Sequence, residues 1–267
     1  MADIRFGSLV MEDTGGSGRA MVMIHGLGGT SNTFETLMPA LDGWRVVRPD
    51  LPGAGRSPVR ADTRSIADLA RSVTDALKAT GVTRAVIVAH SMGTLLAQHM
   101  AVTAPHRVEG LILFGALTEP PEGARNGLKA RAEAALRDGM AGIADTVSTA
   151  SLSERARREA SAVRAFVRES LMRQPTTGYA AHCQALAAAT AYPPMKIRCR
   201  VRLITGADDP VAPRAMAEAL NTGLPNSKLD ILPGVGHWAP LEAPEECRRL
   251  LAEALAEMPN NPVTERI

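Results

Sequence analysis

Apolar residues in this chain come in short, nearly unbroken runs. They stand in RAMVMIHG (Arg19–Gly26), WRVVRPDLPGAGRS (Trp44–Ser57), AVIV (Ala85–Val88) and VEGLILFGAL (Val108–Leu117). Two more follow much later, RVRLITG (Arg200–Gly206) and KLDILPG (Lys228–Gly234). Between the early runs the spacing changes. From Thr63 to Thr80 the apolar positions are Ile66, Leu69, Ala70, Val73, Ala76 and Leu77, with Gly81 just beyond. That is the period of a helix, followed by a glycine stop. Ser91 to Pro105 reads as a further helix. Such apolar runs are strands buried on both faces. Their alternation with helices predicts an α/β fold with a mostly parallel central sheet and helices on both faces.

Between about Glu119 and Pro194 the strand runs vanish. ARNGLKARAEAALRDGMAGIADTV, SERARREASAVRAFVRESLMR and TTGYAAHCQALAAAT all read as helices. The arginines of this region read as solvated helix surface. The expected organisation is a core of residues 1–118 and 195–267, interrupted by a helical insertion at 119–194. The last helix starts at Pro244, where proline is well tolerated. The tail PNNPVTERI is expected to fray.

Composition narrows the function. The 267 residues carry a formal net charge of +2 and 3% aromatics. So small a charge and so few rings argue against nucleic acid and anionic membranes as partners. No apolar run approaches the roughly 18 residues of a membrane span, and no basic-then-apolar leader opens the chain. The expectation is a cytoplasmic protein acting on a small molecule, with its oligomeric state left open. Cys183, Cys199 and Cys247 are widely spaced and odd in number, which suggests neither a disulfide framework nor a metal site.

Four stretches carry candidate chemistry. In AHSMG (Ala89–Gly93), Ser91 sits between a strand end and a helix start. A nucleophilic serine needs that placement. The turn lifts its Oγ clear, and the helix N-terminus and the Met92 N–H face a developing oxyanion. The motif Gly-x-Ser-x-Gly is nearly met, with Ala89 replacing the first glycine. An ordinary helix-cap serine is the competing reading. HGLGG (His25–Gly29) follows a strand and offers the Leu27 N–H as a second oxyanion donor, with His25 shaping the loop. A dinucleotide loop would need a third glycine where Ser31 stands, and no phosphate-binding Gly-Lys-Ser/Thr is present. No cofactor is therefore expected. LITGADDPVAP offers Asp208 and Asp209 after a strand, Asp209 having the better spacing. GVGHWAPLEAPEE places His237 in the last core loop.

Serine, aspartate and histidine thus occur in that order, each just after an expected core strand, which is the chain order of the α/β-hydrolase triad. With HGLGG, DLPGAGRS, AHSMG, GADDPVAP and GHWAPLEAPE, the chain resembles the α/β-hydrolase fold family over essentially its whole length. The resemblance implies Ser91 as nucleophile, His237 as base, Asp209 as orienting acid, and the N–H groups of Leu27 and Met92 as the oxyanion hole. It also implies that the helical insertion is a cap over the site. LRDGMAGIADTV and GYAAHCQALAAA in that insertion are similar to 3-oxoadipate enol-lactonases. The implied activity is hydrolysis of a small ester or lactone. The same triad also supports C–C bond hydrolysis, cofactor-free perhydrolysis, or a small-ligand receptor on this fold. Phe34, Leu117, Met140, Met172, Val211 and Trp238 are candidate pocket residues. Arg125, Arg131 and His182 are candidate partners for a substrate carboxylate.

Overall fold

A computed structural model describes residues 2–258. The tail Pro259–Ile267, expected to fray, lies outside the described residues. Eight strands form one sheet: β1 (Ala2–Phe6), β2 (Leu9–Asp13), β3 (Ala20–Ile24), β4 (Arg45–Pro49), β5 (Ala85–His90), β6 (Val108–Phe114), β7 (Arg200–Gly206) and β8 (Ser227–Leu232). Their spatial order is β1-β2-β4-β3-β5-β6-β7-β8. From β4 to β8 all neighbours are parallel, while β1 and β2 pair antiparallel at one edge. The apolar runs correspond to β3 through β8. The β1–β2 hairpin has no counterpart in the sequence reading. β1 is a mostly exposed edge strand turned at Gly7, whose φ of 56° suits glycine.

Residues alternate between the two faces of the sheet, as the two-residue period of a strand requires. Val22, Ile24, Ile87, Ala89, Leu111 and Leu113 face one core. It also contains α1 (Ile66–Ala79) and α2 (Met92–Thr103). Met21, Met23, Val86, Val88, Ile112 and Phe114 face the other. The six apolar positions expected of α1 are all buried, and the Ser65 hydroxyl caps it by accepting the Asp68 N–H. Phe34, expected at the pocket, lies on a 3₁₀ helix (Ser31–Ala40) packed in the second core. It is therefore across the sheet from the first core, into which the cap packs.

Five helices connect β6 to β7: α3 (Glu122–Asp138), α4 (Ala141–Ala150), α5 (Glu154–Glu159), α6 (Ser161–Met172) and α7 (Thr176–Ala187). The remaining helices are α8 (Arg214–Gly223), α9 (Ala239–Glu242) and α10 (Pro244–Glu257). The cap helices seat directly on the core. A Cβ at Gly178 on α7 would collide with the Gly53 carbonyl, so only glycine allows this approach. Nearby, His182 Nε2 donates to the Pro52 carbonyl at 2.8 Å. No helix of the described residues is long and apolar enough to cross a membrane.

Candidate active site

Ser91 follows β5 and opens α2. Its φ of 52° is the one positive value at a non-glycine residue among those described. Such a backbone costs energy and persists only where its surroundings enforce it. Here they do. The Ser91 N–H donates to the Phe114 carbonyl at 3.0 Å, and its carbonyl accepts from the Thr94 N–H at 2.8 Å and the Thr94 hydroxyl at 2.6 Å. A side chain at Gly93 would collide with the carbonyls of Ile24 and His25. Ala89 is fully buried in β5, and its methyl group packs in the first core. Alanine therefore fits where the usual motif has glycine.

His237 and Asp209 meet Ser91 at the carboxyl edge of the sheet. His237 Nε2 is 2.8 Å from Ser91 Oγ, and His237 Nδ1 is 2.8 Å from Asp209 Oδ2. The other carboxylate oxygen, Oδ1, accepts the N–H groups of Val211 and Ala212, each at 2.8 Å. Burial raises the affinity of the Asp209 carboxyl for a proton. The adjacent His237 ring and the two N–H groups outweigh it and hold the carboxyl below its ordinary range. An ionised carboxylate only accepts, so Nδ1 carries the ring proton and Nε2 is left to accept from the Ser91 hydroxyl. Asp208, the alternative acid, is exposed.

The His237 loop is held by groups that sequence reasoning did not assign. The Glu242 carboxylate accepts N–H groups on both sides of His237, from Gly236 at 3.0 Å and Trp238 at 3.2 Å. It also accepts the Ser153 N–H of the cap at 3.0 Å. The His237 N–H donates to the Ser151 carbonyl at 2.9 Å, and Trp238 Nε1 donates to the Ser151 hydroxyl at 2.9 Å. His90 Nε2 donates to the His237 carbonyl at 2.8 Å. The one signal in the sequence was Glu242 itself, in the quoted GHWAPLEAPE.

The Gly26–Gly29 loop is fixed in the same way. His25 donates from Nδ1 to the Gly26 carbonyl at 2.8 Å and accepts the Leu51 N–H at Nε2, 3.0 Å away. From the cap, the Ser170 hydroxyl donates to the Gly28 carbonyl at 2.8 Å, and Gln174 Nε2 reaches the Gly28 and Gly29 carbonyls at 3.3 Å. Leu27 lines the cavity beside Ser91, and Met92 follows Ser91 at the first turn of α2.

A cavity of about 370 Å³ opens above Ser91 and His237. Leu117, Arg131, Val211 and Trp238 line it, as do Leu128, Tyr179, Leu186 and Met216, which sequence reasoning missed. Five other candidates do not line it. Besides Phe34, Arg125 is spent on the Ala189 carbonyl at 2.8 Å, the Ala187 carbonyl and Glu119. Met140 is buried between α3 and α4, and Met172 faces solvent. His182 is turned to Pro52, and burial pulls it down to about 4, so it carries no charge for a carboxylate at neutral pH. Among the described residues, no group of three or more His, Cys, Asp or Glu is placed to hold a metal ion.

Burial, and next the nearby His237 ring, lowers His90 to about 3. His90 and His182 are therefore neutral when folded but protonate near the ordinary histidine value of 6.5 when unfolded. Below that value the unfolded chain binds more protons, so stability must fall as pH drops from 6.5 toward about 4 and 3. The loss is about 2 kcal/mol for each histidine by pH 5. Urea midpoints at pH 7 and pH 5 measure it. Equal midpoints would contradict the buried neutral state.

A family model for the alpha/beta hydrolase fold matches residues 19–244. The chain belongs to the α/β-hydrolase fold family. Within it, the chain is 30% identical over 257 residues to a pimeloyl-[acyl-carrier protein] methyl ester esterase of Aromatoleum aromaticum, covering 88% of this chain and 97% of the relative. It is 38% identical over 106 residues to a protein of Variovorax paradoxus named as a carbamate hydrolase. That match spans 39% of this chain and 40% of the relative's length. The enol-lactonase of Burkholderia xenovorans has the same fold, with a TM-score of 0.87 at 22% identity over 96% of this α/β-hydrolase and all of that chain. The first two relatives support hydrolytic activity, and the third shows the fold.

Proposed function

We propose that this α/β-hydrolase cleaves small carboxylic esters or lactones through an acyl-enzyme on Ser91. The observation that carries this reading is the chain of two 2.8 Å contacts from Ser91 through His237 to Asp209 at the floor of a cavity. His237 takes the hydroxyl proton as Oγ attacks the carbonyl. The tetrahedral oxyanion lies against the N–H groups of Leu27 and Met92. His237, now protonated, gives its proton to the leaving oxygen. In a lactone that oxygen stays tethered to the acyl group. Water then attacks the acyl-enzyme by the same route and regenerates Ser91. The volume suits a small acyl group held against apolar walls.

Full-length similarity to an esterase supports the choice of an ester bond. A fluorophosphonate probe together with a panel of short esters, lactones and vinylogous diketones tests it. The expected result is labelling of Ser91, with turnover of p-nitrophenyl acetate and of at least one lactone. Labelling without any turnover would favour a ligand-binding role. Turnover confined to the diketones would favour C–C bond hydrolysis.

A further inference from the structure

Two polar side chains lie deep in α2, where most of the buried neighbours are apolar. Thr94 is fully buried and Gln98 is 1% exposed. Four residues apart, they stand on one face of the helix. That face meets the chain as it leaves β6. The Thr94 hydroxyl donates to the Ser91 carbonyl at 2.6 Å and accepts the Leu117 N–H at 2.9 Å. Gln98 Nε2 donates to the Leu117 carbonyl at 2.8 Å and to the Thr94 carbonyl at 3.1 Å.

Leu117 lies beyond the last residue of β6, Phe114, so the sheet no longer supplies its backbone partners. Buried N–H and C=O groups need partners, and the two α2 side chains provide both. The intervening strap crosses the triad. Gly115 has a φ of 54°, and a Cβ there would lie 3.2 Å from the His237 ring and 3.3 Å from Asp209 Oδ2. Its N–H donates to the Ile204 carbonyl at 3.0 Å, so the strap is tied to the sheet at one end and to α2 at the other. The Leu117 side chain then lines the cavity above Ser91. A single hydroxyl therefore joins the Ser91 carbonyl to the backbone of a cavity wall.

A wall discriminates between chain lengths only as far as it cannot yield. We propose that Thr94 and Gln98 are positioning residues, which hold Leu117 as a fixed wall beside Ser91 and so limit the chain length accepted next to the scissile carbonyl. The proposal rests on the hydrolase reading of Ser91. Both residues act through Leu117, because their own polar atoms are spent on backbone groups.

Ethyl acetate is compared with ethyl butanoate and with butyl acetate, which add two methylenes on the acyl and the alcohol side. Acid release is followed by titration at constant pH. Leu117→Ala is expected to raise kcat/KM for one longer ester, relative to ethyl acetate, by roughly tenfold. Thr94→Val and Gln98→Met should move the same ratio in the same direction by about threefold or more. Thr94→Ser keeps the hydroxyl and should restore the wild-type ratio. A purely stabilising role would lower the melting temperature and leave the ratio unchanged. Wild-type ratios in both Thr94→Val and Gln98→Met overturn the proposal, and so does an unchanged ratio in Leu117→Ala. The backbone N–H at position 94 still holds the Ser91 carbonyl in Thr94→Val, so the turn should survive. If that variant fails to fold, Gln98→Met decides alone, since it keeps the side-chain volume. If the wild type cleaves none of the three esters, the hydrolase reading of this bond type fails on its own. Hydrogen exchange at the Leu117 amide then decides the wall. Faster exchange in Thr94→Val upholds it, and equal exchange overturns it.

Discussion

Ser91→Ala is expected to lower kcat by roughly 10⁴- to 10⁶-fold on any ester the wild type turns over, because triad members act as one unit. The substitution removes one atom, Oγ, and with it both the proposed nucleophile and the 2.8 Å contact to His237. The Cβ remains, and so do the backbone bonds to Phe114 and Thr94 that hold the turn. The variant should therefore fold normally and keep its ability to bind substrate, while losing fluorophosphonate labelling. Residual rate above the uncatalysed reaction would come from the N–H groups of Leu27 and Met92, which the substitution leaves untouched. Single-turnover kinetics with p-nitrophenyl acetate make the comparison. Retention of a tenth or more of wild-type kcat would remove Ser91 from the chemistry.

The core was legible because its strands are buried on both faces and read as unbroken apolar runs. β1 lacked that signal, since an exposed edge strand has no apolar face to advertise. The order of serine, aspartate and histidine was legible, and spacing favoured Asp209 over its neighbour without showing the physical reason for the choice. That choice depends on which way the chain turns after Gly206. Asp208 goes outward and Asp209 inward, onto the His237 ring. The pocket was least legible, for geometric reasons. Phe34 follows the HGLGG loop closely, yet adjacency in sequence says nothing about which face of a sheet a side chain joins. Arg125 and Arg131 share α3, but six residues of helix turn through about 240°, given 3.6 residues per turn. One therefore ties α3 to the end of α7 while the other lines the cavity. Glu242 stayed hidden because its partners are backbone N–H groups, which no residue pattern displays.

Asp209→Asn is expected to cost about 10⁴-fold in kcat with little change in KM. An asparagine can still accept the N–H groups of Val211 and Ala212 through its Oδ1, so the loop should keep its shape. What changes is the atom facing His237. An amide N–H₂ would point at Nδ1, so the ring would hold its proton on Nε2 instead. Nε2 could then no longer accept the Ser91 proton, and the base would be present but in the wrong tautomer. Asp208→Asn is the matched control, because it makes the same chemical change one residue away on an exposed side chain. Its kcat should stay within about twofold of the wild type. The comparison separates an orienting carboxylate from a general loss of negative charge near the site, which both substitutions share. Equal losses in the two variants would mean that charge alone matters. A loss confined to Asp208→Asn would mean that the 2.8 Å contact between Asp209 and His237 does not govern the base.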